Sequence, residues 1–496
     1  MSVALVWLLA ATPLASGPMV VAPPDLLGPA DEAWIAEAVA DELPRALLEL
    51  GVPVLERYDR LRVQERLGLP AVRLSRATTI KVAEAVGAWR LVTGTVEREG
   101  GVTLKIRLLD VPRGALAAPL VAKGPVESLQ SLLAGVACDI ALAASTPPAR
   151  SREVLVALRT AVPFEAWRTH AQALAATDVA ARTKLLRRAL AQFPSYEEAR
   201  LDLARVQLES REHAAALETV AKSGREARTH RATRFAEGVA LLGLGRYVEA
   251  AAVYDELRQG RPTPAVLSNE AAARLRQGRR ELPASAPLLQ ALGREPAALD
   301  LPVNLGFALL HENRPEAAAF FLKVAVKRDP GDSAARLLLS WALRQAGKED
   351  EAEDEWRALS AMTDAFQSLR APDLPRRFER VLPSEGALVV DAQGRSDAEA
   401  STAQQARGQK LLEAGDVAAA AVELASAVGL APFDAETHSL LARALRGRGE
   451  VARAEAELRA SLYCRDDNAV RTELMDVLMA QGRTAEARKL LQEHAP

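Results

Sequence analysis

Seven side chains carry most of the recognition chemistry in this sequence: Trp167, Phe235, Asn269, Arg276, Phe307, Trp341 and Arg344. Phe235, Phe307 and Trp341 supply flat apolar area, and Asn269, Arg276 and Arg344 flank it with polar groups. An apolar stripe bordered in this way suits an extended peptide or an amphipathic helix. The same aromatic residues equally fit the core between packed helices, and the sequence leaves both readings open.

Residues that would do covalent chemistry do not assemble. GxSxG, GxxxxGK[ST], HExxH and a GxGxxG at a strand-to-helix turn are all missing from the sequence. His311-Glu312 has no second histidine, and Thr78-Thr-Ile-Lys81 puts threonine where a nucleophilic serine would stand, with no SDN or KTG partner. His170, His213, His230, His311, His438 and His494 never pair at i, i+3 or i+4, and Cys138 and Cys464 lie far apart. The two cysteines read as small apolar residues, with a bridge as the alternative. No catalytic residue, metal site or cofactor is expected. Acidic and basic residues number 65 and 63, for a formal net charge of -2, so no net field favours nucleic acid or an acidic membrane surface. Binding of another protein is the function class that survives.

The elements that would position the seven residues are set by a period of 34. Alanines stand at Ala216, Ala250, Ala284, Ala318 and Ala352, small residues at Ala204, Gly238, Ala272, Gly306 and Ser340, and prolines at Pro194, Pro262, Pro296 and Pro330. The pattern resumes with Gly408, Ala420, Ala427 and Pro432, then Ala442 and Ala454. This spacing resembles the tetratricopeptide repeat, a helix-turn-helix unit in which a small residue on the first helix meets the second helix closely. The resemblance implies a solenoid over residues 163–366, of about six repeats with the first two degenerate, and a C-terminal block over 401–496 of about three. Residues 367–400 replace one unit as a partly ordered break or a divergent repeat that still stacks. Stacked first helices line a groove in such a fold. Its surface would carry Trp167, Asp202, Arg205, Phe235, Asn269, Arg276, Phe307, Trp341 and Arg344. Some relatives clamp a terminal carboxylate with Lys and Asn; here Asn269 and Asn304 lack the lysines, so that clamp is not expected.

Residues 18–145 read as a separate α/β domain, making the whole chain α+β. Pro18–Ala22 and Val52–Leu55 are short strands, and between them Trp34, Ile35, Ala38, Val39, Leu43, Leu47 and Leu48 share one helix face. Two further helices follow, then an antiparallel meander over Arg90–Glu97, Val102–Val111 and Ala115–Ala122, and a last helix from about Val126 to Ala144. The order β-α-β-α-α-β-β-β-α, with the runs Gly87-Ala-Trp-Arg-Leu-Val-Thr-Gly-Thr-Val96 and Leu108-Leu-Asp-Val-Pro-Arg-Gly114, resembles the amino-terminal domain of the TolB translocation protein and its FlgO-type envelope relatives. The resemblance implies a non-catalytic docking domain outside the cytoplasm.

Before it, Val3–Ala11 is a continuous apolar block, followed by Ala15, Ser16 and Gly17. The block is too short to span a bilayer and fits a secretory leader over residues 1–17, although no Lys or Arg precedes it. The expected protein is a bacterial scaffold in the periplasm that grips a protein partner in its groove, with no integral membrane span. An oligomeric component of an envelope secretion machine and a cytoplasmic repeat scaffold are the alternatives.

Overall fold

The computed structural model describes residues 18–69, 74–278, 283–363, 380–386 and 392–492, so the expected leader lies outside the described residues. The chain divides into two compact units, one running to Glu209 with Lys222–Gly224, the other comprising Ser210–Ala221 and everything from Arg225 onward.

The first unit holds strands β1 (Met19–Val21) and β2 (Asp25–Leu27), helix α1 (Trp34–Glu49), strand β3 (Val54–Leu55), and helices α2 (Arg57–Arg66) and α3 (Arg76–Ala85). Strands β4 (Arg90–Glu97), β5 (Val102–Asp110), β6 (Ala115–Leu116) and β7 (Leu120–Gly124) follow, then α4 (Leu129–Ala143), α5 (Arg152–Arg159), α6 (Phe164–Ala175), α7 (Val179–Gln192) and α8 (Glu197–Glu209). β1 lies parallel to both β3 and β4, and β5 pairs antiparallel with β4, β6 and β7. Two details differ from the sequence reading. The stretch between the first strand and helix contains β2, which pairs parallel with β4 at Asp25–Leu27. The third meander strand is split by residues 117–119 into β6 and β7. Leu48, expected in the core, is exposed, because Leu43 and Leu47 fill the α1 face that meets the sheet.

Alternation in β5 buries Val102, Leu104, Ile106 and Leu108 under α1 and α4. Among the described residues, Val126–Ala143 is the stretch long and apolar enough to cross a membrane. Here its Leu129, Leu133, Ala137 and Ile140 are core of the first unit. That core does not end with the α/β region: Trp34, Leu43 and Leu47 cluster with Trp167, Ala171, Tyr196 and Leu203 of α6 and α8.

The second unit opens with α9 (His213–Ala221) and the short α10 (Arg225–Thr229). Four helix pairs follow: α11 (Arg231–Gly243) with α12 (Tyr247–Gly260), α13 (Pro264–Gln277) with α14 (Ser285–Arg294), α15 (Asp300–His311) with α16 (Pro315–Arg328), and α17 (Ser333–Gln345) with α18 (Glu349–Met362). Three more are α19 (Ala392–Glu413) with α20 (Val417–Leu430), α21 (Ala435–Gly447) with α22 (Val451–Cys464), and α23 (Asn468–Ala480) with α24 (Thr484–Gln492).

Sterics explain the small-residue column. A Cβ on Gly306 would sit 2.4 Å from Leu322 Cγ, one on Gly238 2.7 Å from Tyr254 Cζ, and one on Gly408 2.5 Å from Leu424 Cγ. In each case the obstructing side chain is 16 positions further on, on the partner helix. A turn between paired helices repeats as well. Gly245, Asn313, Gly347, Gly415, Gly449 and Gly482 all have left-handed backbones, with φ between 57° and 81°, a conformation that glycine and asparagine adopt most readily. The C-terminal block packs on α16 through aromatic rings: Phe321 lies 5.5 Å from Phe433, and Phe320 lies 5.9 Å from Tyr463.

Candidate functional site

The first helices of the second unit hold a segment of the chain itself. Residues 380–386 cross α11, α13, α15 and α17, with each contact made near the N-terminal half of a helix. Asn269 on α13 donates from Nδ2 to the carbonyl of Leu382 and accepts from its N–H on Oδ1, both at 2.8 Å. Asn304 on α15 does the same to Arg380, at 2.8 and 2.7 Å. One residue offers both its N–H and its C=O to the same side only when the chain is extended, and the residue two further on then repeats the presentation. Arg380 and Leu382 have that spacing. Each amide is oriented from behind, Asn269 by the Tyr254 hydroxyl at 3.0 Å and Asn304 by Ser268 Oγ at 2.9 Å. Both asparagines are fully buried.

Side chains supply three further anchors. The Arg380 guanidinium donates to Asp300 at 2.7 Å and to Asp332, which also caps α17 through the Ala335 N–H. Burial works against the Arg380 charge, but Asp300 and Asp332 outweigh it and raise its pKa above the ordinary value. Leu382 is buried in an apolar cluster with Phe235, Leu241, Tyr254 and Val266. At the far end, Glu385 receives Arg231 in a two-pronged contact at 2.7 and 2.8 Å and the Thr263 hydroxyl at 2.6 Å.

Of the seven residues singled out from sequence, Phe235 and Asn269 meet at this place. Phe307 and Trp341 are buried in a separate apolar cluster spanning α13 to α18. Arg276 donates to the Leu242 carbonyl at 3.3 Å and lies over the Tyr247 ring. Arg344 sits 3.9 Å from Glu349. Arg231, Thr263, Asp300 and Asp332 were missed because their partners, Arg380 and Glu385, lie outside the period that guided the reading.

Trp167, the seventh, belongs to the first unit, where Asp202 and Arg205 share its fate. All three are covered by the α/β region. Trp167 Nε1 donates to Glu42 of α1 at 3.1 Å, and Asp202 accepts from Arg45 of α1 at 3.1 Å. Arg205 pairs with Glu56 at 3.0 Å and stacks 4.4 Å from the centre of the Tyr58 ring. His170 bridges Asp202 and Tyr196, at 2.8 Å to each. Arg159 grips Glu42 and reaches Glu198 at 3.2 Å. Burial disfavours the Asp202 carboxylate, but Arg45, His170 and Arg205 hold its pKa well below the usual range; Glu56 is lowered by Arg205 and Arg45 against the same burial cost. A cavity of about 280 Å³ nearby is lined by Arg57, Arg60, Gln64 and Arg182 among others. Burial pushes the Arg60 pKa down to about 10, partly offset by Glu37.

Family models described as tetratricopeptide repeat match residues 173–240 and 309–371, and another of that description matches 405–469. The helix pairs within those residues are tetratricopeptide repeats. Solved structures similar to the chain include MamA from Desulfovibrio magneticus RS-1, from residue 41 to its end, at 19% identity, covering 35% of this chain and 97% of that one with a TM-score of 0.31. A tetratricopeptide repeat protein from Parabacteroides merdae ATCC 43184 is 15% identical over 57% of this chain and 98% of its own, with a TM-score of 0.30. No curated protein matches the chain.

Proposed function

We propose that this protein is a non-catalytic scaffold of the bacterial cell envelope whose repeat groove binds an extended segment of a protein partner. The observation that carries this reading is the pair of amides, Asn269 and Asn304, each closing on both backbone polar groups of a single residue. Main-chain bonding of this kind accepts an extended peptide irrespective of sequence, and the pockets between the amides then select side chains. The envelope location is supported by the apolar block Val3–Ala11 and the small residues after it. Docking through the α/β domain is supported by its resemblance to the TolB amino-terminal domain.

The test compares wild type with the Asn269→Ala/Asn304→Ala protein in crosslinking and capture from the native host, after mapping the mature N-terminus. Loss of captured partners from a folded double variant supports the groove. An unchanged set of partners overturns it, and a mature chain that retains Met1 overturns the envelope location.

A further inference from the structure

We propose that Arg380–Gly386 is an internal stand-in for the partner. The groove then selects peptides that are extended over a basic residue and an apolar residue two positions on and then turn to present a carboxylate three positions after that, and such a partner binds by displacing the segment. The inference rests on reading the groove as a peptide site and adds the chemistry of its ligand.

Three pockets define the pattern. The basic pocket is formed by Asp300 and Asp332, both nearly buried and both bonded to the Arg380 guanidinium, so a cation placed there offsets part of the cost of burying their charge. In the apolar pocket, Leu382 clusters with Phe235, Tyr254 and Val266, whose carbon surface suits an apolar side chain. The acidic pocket pairs Arg231 with Thr263 around Glu385; Arg231 is held in place by the carbonyls of Leu257 and Arg261. Pro383 stands where the chain bends away from the extended stretch, a place its fixed φ and missing N–H suit.

The attachment has the marks of a replaceable ligand. Among the described residues, no backbone-to-backbone hydrogen bond ties 380–386 to the repeats, and the segment is held by groove side chains. Its fit is also imperfect. Ser384 is buried, yet its hydroxyl finds no partner, a desolvation cost that a partner with alanine there would not incur.

The test uses a fluorescein-labelled synthetic peptide of residues 380–386 and the full chain. In the Arg380→Ala/Leu382→Ala/Glu385→Ala protein the groove is untouched and the tethered competitor is weakened. A competitor on the same chain acts at an effective concentration on the order of millimolar. The labelled peptide is therefore expected to bind the triple variant at least about tenfold tighter than wild type, its Ser384→Ala form tighter still, and a scrambled peptide at least about tenfold more weakly. Equal affinity for wild type and triple variant overturns the stand-in. Should the scrambled peptide match the parent while Asn269→Ala/Asn304→Ala abolishes both, the side-chain pattern falls and the peptide groove survives. If the double variant leaves both peptides bound, the groove reading falls as well. A wild-type dimer, seen by light scattering and lost in the triple variant, would assign the segment to a second copy and overturn the partner assignment. Hydrogen exchange checks that each variant is folded, and in wild type excess unlabelled peptide should speed exchange at Leu382 even if the triple variant fails to fold.

Discussion

Both units fill the inner face of their repeats from within the chain, by different means. In the first, α1 and α2 of an α/β domain lie over Trp167, Asp202 and Arg205, joined by a shared apolar core and by charges that satisfy one another out of water. In the second, seven residues occupy the groove through two amides, one leucine and two ion-pair anchors. The difference supports reading one repeat surface as a permanent joint, where it buries a domain's core, and the other as the proposed binding site, where among the described residues a short segment sits.

The comparison breaks first at Asp202. Removing this carboxylate takes one partner each from Arg45, Arg205 and His170, which keep Asp41, Glu56 and Tyr196, and Asp202→Ala is expected to destabilise the first unit by about 3 kcal/mol in urea unfolding. A loss below about 1 kcal/mol would mean that the buried charges do not hold the joint. Acid probes the same charges. Asp202, Glu56 and Glu198 have pKa values lowered in the folded protein. Their contribution is complete above the unfolded carboxylate values of about 3.9–4.3 and drains away as pH falls from there toward the depressed folded values. Unfolding curves between neutral pH and about pH 2.5 should show the first unit weakening only below about pH 4.

Next in size is the repeat packing. Gly306→Ala drives a methyl into Leu322, and the overpacking should cost about 1–3 kcal/mol, with partial recovery on adding Leu322→Ala. Leu382→Ala sharpens the comparison. It should weaken docking of the segment by about 1–2 kcal/mol, read from exchange of its own amide, while global unfolding changes less because the other buried members of its cluster are repeat side chains. Arg344→Ala is the smallest effect, under about 0.5 kcal/mol, since the Glu349 partner is well exposed and 3.9 Å away.

The repeat region was legible because its steric requirements recur. Gly238, Gly306 and Gly408 mark crossings that a Cβ would obstruct, and the alanine column marks the second helix. The left-handed turn at Gly245, Asn313, Gly347, Gly415 and Gly449 is a further column of the same period that the sequence also displays. The two-ended meander, the apolar face of α1 and its core helix α4 were equally readable, since alternation and helical spacing are local. β2 was not, because a three-residue strand next to two prolines carries no pattern of its own. The site was half visible. Asn269 could be placed on an inner helix face by spacing, whereas its ligand, Arg380-Val-Leu-Pro-Ser-Glu385, is aperiodic and meets the groove only through folding at a sequence distance of more than 100 residues. Trp167 and Asp202 had the right position within their repeats, but what covers them is set by tertiary packing against α1.

Hydrogen exchange at the Leu382 amide in the wild-type chain bears most directly on the claim that the groove holds a displaceable ligand. The amide should exchange by local opening, well before those of Leu43 and Leu47 in α1, and should exchange faster when the unlabelled 380–386 peptide is added in excess. Protection equal to that of the α1 core, unchanged by the peptide, would show the segment to be a fixed part of the fold and contradict the account.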